Sequence, residues 1–332
     1  MSTETDDTTA TITVISPGLL TTVQDLGRFG YYHLGIPQGG ALDAWSSRSA
    51  NALVGNDEQD AVLECTYMGP SLQFSRDTVI AVTGAPVATM VDDEPVEMWS
   101  RVPVPAGATV TFGLIEAGAR FYVAAEGGVD VPVVLGSRST YIPGTLGGVD
   151  GRKLEAGDVL PLGPAPTHAG VPEIPEELRP EFSKSQNVRI LMGLYDHKLT
   201  EKGREHLLSG EWTLTPVADR AGLRYSGPGV EWRDSPQPFG AGADPSNIVD
   251  AGYAVGSIQI PGGTQPIILH RDAVSGGGYA MIGTVISADM DLVARATPGT
   301  TTRFIEVTME EALAARRDYS ERLEQLKGLS GR

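Results

Sequence analysis

Cysteine is nearly absent from this chain of 332 residues: Cys65 stands alone. One thiol can form neither an intrachain disulfide nor a cysteine-based zinc site. Lysine is scarce as well, at five residues (Lys153, Lys184, Lys198, Lys202 and Lys327). Acidic residues dominate, with 42 Asp and Glu against 25 Lys and Arg and a net charge of −17. So negative a field repels nucleic acid and anionic membranes, and neither is expected as a partner. No apolar run reaches the ~18 residues of a transmembrane helix. The opening MSTETDDTTA has neither the basic start nor the apolar core of a signal peptide, so a cytoplasmic location is expected. The acidic surface reads either as a solubility device or as adaptation to a salty cytoplasm, where a Debye length of about 3 Å at 1 M salt screens self-repulsion. On the second reading, dialysis into low salt unfolds the chain, which a thermal melt with and without salt checks.

Familiar catalytic parts are missing too. There is no GxxxxGK[ST] phosphate loop, no HExxH and no GxSxG elbow. The five histidines (His33, His168, His197, His206 and His270) have no ligand-like spacing, so no metal site is visible. No segment of the Ala-Met-Lys-Met type is present to carry biotin. A self-contained hydrolase or ATPase does not assemble from these parts.

Glycine and proline are abundant, at 41 and 23 residues. Between them lie short apolar runs at 10–15, 78–83, 108–115, 120–125, 188–192, 257–260, 266–270 and 302–307. Alternation and β-branched enrichment, as in TVIAVT and RFIEVT, predict a mostly β chain of barrels or sandwiches with few short helices. Asp43 caps a predicted helix, DAWSSRSANALVG, which Gly55 closes. Thr308 and Glu311 predict a capping box for a C-terminal helix. Five prolines in 164–180 mark an extended linker. The expected organisation is a disordered N-terminus (1–10), a β domain (11–163), the linker (164–186), a second β domain (187–310) and a helix with its tail (311–332). MGPSLQF (68–74) echoes SGPGVEW (226–232), as a duplicated domain or chance similarity of Gly-rich turns would.

Four polar, Gly-rich clusters carry the candidate chemistry. TTVQDLGRFGYYHLGIPQGGALD holds Gln24, Asp25, Arg28 and Asp43. AEGGVDVPVVLGSRSTYIPGTLGG holds Arg138, Ser139 and Thr140. ADRAGLRYSGP holds Asp219 and Arg220. GSIQIPGGTQPIILHRDAVSGGGYAMIG holds Gln259, Asp272 and Tyr279. Glycine lets a backbone turn tightly and approach a ligand closely, and arginine forks onto carboxylates. Bland roles remain open beside these. Asp25 and Arg28 can brace a hairpin, Asp219–Arg220 can form a turn, and Ser139–Thr140 can satisfy loop backbone. Asp272 is the least bland, because a buried acid needs a partner.

These motifs occur in an order that resembles the allophanate hydrolase subunit 2 family, also described as the family of biotin-dependent carboxyltransferases, of KipA, or of C-type 5-oxoprolinase subunits. ANALVGN, AVLECTYMGPSLQF, GRKLEAGDVLPLG and GTVISADMDLVARATPGTTTRF extend the resemblance over about residues 12–312. It implies cyclophilin-like β-barrel domains of the carboxyltransferase, subunit 2 type. It also implies partners: a subunit 1-type (KipI-like) protein and an A-type subunit. The implied activity is ATP-dependent opening of the lactam of 5-oxoproline to glutamate, with ATP handled by the complex. One alternative is a part of a carboxyltransferase or allophanate hydrolase working on urea-like substrates, the one case needing biotin. The other is a non-catalytic KipA-type regulator.

Each implied substrate has an amide or ureido carbonyl, so donors must face the developing oxyanion and acceptors the N–H. Asp25, Arg28 and Asp272 are the expected catalytic residues. Gln24, Asp43, Arg138, Ser139, Thr140, Asp219, Arg220, Gln259 and Tyr279 are the expected substrate contacts. One departure stands out. The family's Asp-x-Gln-Thr-Thr-Gly-Gly-Tyr is here Asp272 to Tyr279 with Val274 and Gly276 at a Gln and a Thr position.

Overall fold

The computed structural model describes residues 10–329. The expected disordered N-terminus lies outside these, apart from Ala10, which is buried. Each of the eight apolar runs forms a strand or the heart of one. The chain divides into two compact units.

The first unit comprises residues 10–28, 39–182 and 322–329. Its strands are Thr11–Ser16 (β1), Leu20–Gln24 (β2), Val62–Thr66 (β3), Ser71–Phe74 (β4), Thr78–Gly84 (β5), Val87–Val91 (β6), Glu94–Val96 (β7), Arg101–Val104 (β8), Thr109–Ile115 (β9), Arg120–Ala125 (β10) and Val159–Pro161 (β11). They form two sheets, in the orders β11-β1-β4-β9-β6-β7 and β2-β3-β10-β5-β8. Ile12, Leu72, Phe74, Val82, Phe121 and Val123 share one core. β10 is buried at every residue, because the helix Ala44–Val54 (α1) packs over β10 and β5. A strand covered on both faces carries a continuous apolar run rather than an alternation. α1 begins where the Asp43 carboxylate accepts from Ser46 N and ends at Gly55, whose φ is +83°. The proline-rich run, with a 3-10 turn at Glu176–Leu178, lies along this unit. Val171 N donates to Ala52 O, Ile174 N to Trp99 O, and Trp45 Nε1 to Leu178 O.

β2 is an edge strand, and an uncovered edge is a pairing hazard. The long return from β10 to β11 covers it: Thr140 N donates to Val23 O and Leu154 N to Thr21 O. Near the end of this return, Arg152 makes two 2.8 Å bonds to the Asp158 carboxylate. That fork, with Glu155 N, holds the Asp158 carboxyl below the ordinary carboxylate range. A depressed carboxylate contributes stability that is complete above the unfolded pKa of about 4 and is lost as pH falls through the folded value. Urea melts between pH 6 and 3 are therefore expected to show a stability loss that Arg152→Ala flattens. An unchanged profile in that variant would remove Asp158 from the acid response.

The second unit comprises residues 29–38 and 183–321. Its strands are Ser185–Met192 (β12), Trp212–Ala218 (β13), Gly222–Ser226 (β14), Asn247–Gly252 (β15), Ser257–Gln259 (β16), Ile267–Leu269 (β17), Gly276–Tyr279 (β18), Met281–Val285 (β19) and Thr301–Glu306 (β20). Seven close a barrel in the order β12-β19-β16-β17-β14-β13-β20, and β15 pairs with β18 as a separate ribbon. Closure comes through the parallel pair β12–β20, in register from Ser185–Thr301 to Ile190–Glu306. Val188, Trp212, Tyr225, Ile258, Ile268 and Phe304 fill the interior. The helices are Glu201–Ser209 (α2), Met290–Arg295 (α3) and Met309–Leu329 (α4), the last with its residues from 322 on in the first unit. The Thr308–Glu311 capping box opens α4: Thr308 N donates to Glu311 Oε2 and Glu311 N to Thr308 Oγ1. Among the described residues, no helix is long and apolar enough to cross a membrane.

Candidate functional site

In the first unit the chain leaves β2 through Gln24 into Asp25, and both side chains engage the covering return. Asp25 Oδ1 accepts from Gly27 N at 2.8 Å, Ser137 Oγ at 2.6 Å and Ser139 Oγ at 2.5 Å. Its Oδ2 accepts from Arg138 N at 2.6 Å. Gln24 Nε2 donates to Thr22 Oγ1 and Thr140 O. Arg28 is 1% exposed and donates from Nη2 to Ser139 O. A carboxylate with four donors on its two oxygens is an organiser of backbone, not an open base. The segment it organises is strained. Leu135, Thr145 and Asp150 have φ of +53°, +49° and +50°, each costing on the order of 1–3 kcal/mol outside glycine. Gly147 answers why glycines crowd here: at φ +65° its missing Cβ would stand 2.2 Å from Ser139 O. Strain of this kind gathers where a loop is held in one shape for a ligand.

A second polar network lies beneath. Glu64, 1% exposed on β3, accepts from Leu42 N and the Tyr122 hydroxyl, and Arg120 Nε stands 3.7 Å from its other oxygen. The Tyr122 hydroxyl accepts from Asp43 N. Burial, with Glu64 and Asp43 beside it, pushes the Tyr122 phenol well above its ordinary value, so it is a permanent donor. Ala41 N donates to Asp25 O. Three successive amides, from Ala41 to Asp43, are thus fixed against Asp25 and the network. Tyr122→Phe strands Asp43 N and takes one of two donors from Glu64 Oε2, and is expected to cost about 1–3 kcal/mol in a denaturant titration. A loss below about 0.5 kcal/mol would mean that water replaces the hydroxyl.

In the second unit Arg220 and Asp272 form a two-pronged pair, Nε–Oδ2 2.8 Å and Nη2–Oδ1 2.9 Å. Both are buried. Asp272 N also donates to Arg220 O. Next to them His270 is fully buried: Nδ1 accepts from Arg271 N, and Nε2 faces Met290 O at 3.4 Å. Gln259 is buried on β16. Tyr279, at the end of β18, is 44% exposed, and its backbone is gripped on both sides by the Tyr253 hydroxyl, which accepts from Tyr279 N and donates to Tyr279 O.

The structure therefore gathers Gln24, Asp25, Arg28, Arg138, Ser139 and Thr140 in one cluster and Arg220 with Asp272 in another. Asp43 stands apart from the first: its carboxylate caps α1 through Ser46 N and Ser46 Oγ. Asp219 closes a turn by accepting from Ala221 N and Gly222 N. Sequence reasoning missed Ser137, Glu64 and Tyr122. Ser137 was legible as the residue two before Ser139, on the same side of an extended chain. Glu64 was legible as an acid inside a buried apolar strand. Among the described residues, no group of three or more His, Cys, Asp or Glu is placed to hold a metal ion.

Comparison with known proteins adds to this geometry. A family model described as carboxyltransferase domain, subdomain A and B, matches residues 34–306. The C subunit of the 5-oxoprolinase of Escherichia coli (strain K12) is 34% identical over 313 residues, covering 94% of this chain and 96% of that protein. The urea amidolyase of Saccharomyces cerevisiae is 33% identical over 326 residues, covering 96% of this chain and 18% of that protein. The crystal structure of the K. lactis urea amidolyase superposes with a TM-score of 0.91 at 33% identity, over 97% of this chain and 20% of that one. The chain thus spans about a fifth of the length of the urea amidolyases it matches.

Proposed function

This chain belongs to the carboxyltransferase domain family, subdomains A and B, and on that premise we propose that it is one subunit of an ATP-dependent 5-oxoprolinase complex. The observation that carries the reading is coverage: the C subunit of a 5-oxoprolinase aligns over 96% of its own length, so nearly all of it has a counterpart here. The reaction opens the lactam of 5-oxoproline to glutamate, with a subunit 1-type (KipI-like) protein and an A-type subunit as partners. ATP belongs to the partners. The N-terminus of α1 is already filled by the Asp43 carboxylate, so it offers no open phosphate cradle. Within this chain, Asp25 and Arg28 hold the loop of Arg138, Ser139 and Thr140 in shape for an amide substrate. Arg220 and Asp272 do the same for the segment leading to Tyr279. A single donor aimed at the developing oxyanion is typically worth about 3 kcal/mol, which rewards so rigid a loop.

The TM-score of 0.91 with a urea amidolyase supports a second reading, transfer of carboxylate from biotin on another protein to a urea-like nitrogen. One assay separates them. The chain is co-expressed, its partners are captured, and ATP hydrolysis is followed with 5-oxoproline, then with urea and a biotinylated partner. Stimulation by 5-oxoproline that vanishes when this chain is omitted is the expected result. Stimulation by urea alone transfers the assignment to the carboxyltransferase. A stable complex inert to both leaves a regulatory, KipA-type role.

A further inference from the structure

Half of the arginines in this acidic chain are paired with carboxylates. Ten arginines have a carboxylate oxygen within 4.0 Å. Against that background Lys198 and Arg233 stand out. Arg233 N donates to Lys198 O at 2.8 Å, so the two residues are held side by side. Among the described residues, neither has a carboxylate oxygen at ion-pair distance. Lys198 Nζ donates to Asn247 O at 2.7 Å and lies 3.5 Å from Gln237 Oε1, which leaves a proton of the ammonium to spare. Arg233 Nε donates to Leu199 O, which leaves its Nη groups for another partner. Both side chains line a cavity of about 560 Å³ in the second unit. Burial lowers the Lys198 pKa, while Asp244 works against the shift from farther off. Two cationic side chains thus stand on the wall of one cavity, where an anion can take a bond from each.

The rest of the lining narrows the anion. Tyr195, Pro238, Ile248 and Val249 supply apolar surface, and Asp234 and Asp250 supply acceptors. Inorganic phosphate has no use for apolar walls, and a plain carboxylate none for the aspartates. We propose that this cavity binds a small organic acid carrying an N–H group, with Lys198 and Arg233 on its carboxylate and Asp234 or Asp250 on its N–H. 5-Oxoproline and glutamate both belong to that class. The choice of these two probes rests on the oxoprolinase reading; the cation pair does not.

The test is calorimetric titration of the purified chain with 5-oxoproline, glutamate, acetate and inorganic phosphate. Saturable binding of 5-oxoproline or glutamate, tighter than either simple anion, is expected. Arg233→Gln should weaken it about tenfold or more, as for loss of a charged hydrogen bond, with the melting temperature unchanged because its Nη groups hold no protein atom. Lys198→Met should weaken it similarly, but it also releases Asn247 O, so Arg233 decides the matter. No binding of either acid, equal binding of all four anions, or full affinity in Arg233→Gln would each overturn the proposal. Turnover of the complex is scored separately. An inactive complex whose chain still binds the acid through Arg233 sinks the oxoprolinase reading alone. An active complex whose chain binds neither acid, or binds it at full affinity in Arg233→Gln, sinks this proposal alone.

Discussion

Asp272→Ala is expected to cost the second unit about 3–5 kcal/mol, the usual price of leaving one partner of a buried ion pair alone. The pair is well desolvated, with side-chain exposures of 7% for Arg220 and 4% for Asp272. Both prongs are short. Removing the carboxylate leaves a buried guanidinium that cannot shed its proton and has lost its counter-charge. Arg220→Met alone should cost a similar amount. The double variant Arg220→Met with Asp272→Leu should recover much of the loss, because apolar replacement of a whole buried pair is often neutral. Urea titrations of the parent, Arg220→Met, Asp272→Leu and the double variant give the coupling energy directly. Costs that simply add would mean that the two groups do not depend on each other. Asp272→Asn tests the chemical alternative: if Asp272 acts on substrate as a base, that variant loses turnover while keeping most of its stability. If the pair is a brace, stability and turnover fall together.

The β architecture was legible because its signal is local. Alternation in TVTFGLI and the β-branched run TVIAVT mark strands wherever they end up. Asp43 and Gly55 bracket α1 as any helix is bracketed. α2 and α3 left weaker traces: α2 is nine residues with two of them buried, too few to impose a period. The closure of the barrel through the parallel pair β12–β20 joins residues more than a hundred positions apart, and no local pattern encodes such a pairing. The same limit governed the sites. Asp25, Arg28 and Asp272 stood out by type and by their glycine neighbours. What each side chain faces was not legible, since Asp25 meets Ser139 across 114 positions and Asp272 meets Arg220 across 52. Both carboxylates expected to be catalytic have partners within the fold, Asp25 four donors and Asp272 the fork of Arg220. Asp43, grouped with them by proximity in the chain, turned its carboxylate to its own helix.

Asp25→Ala is expected to have the widest effect, on stability and turnover together. The carboxylate accepts four hydrogen bonds, and the Asp25 main chain adds two more, from Asp25 N to Ser139 Oγ and from Ala41 N to Asp25 O. Only the four side-chain bonds disappear on truncation. Hydrogen bonds to a charged acceptor are worth about 1.5–3 kcal/mol each, and they do not add when they share one group. A loss on the order of 3–5 kcal/mol follows for the first unit. The functional loss should exceed what that predicts. Ser137, Arg138 and Ser139 are released just where the return carries strain at Leu135 and Thr145, so the loop relaxes away from its shape. A displacement of about 1 Å at a positioned group lowers turnover about 100-fold. Asp25→Asn separates position from charge. Its Oδ1 can keep Gly27, Ser137 and Ser139, while its Nδ2 meets the Arg138 N–H donor to donor. That variant should retain most of the stability and lose turnover by about tenfold or more. If Asp25→Ala abolishes turnover with no loss of stability, the carboxylate serves the reaction itself and not the loop. If Asp25→Asn matches the parent in both, the bond to Arg138 N positions nothing that the reaction needs.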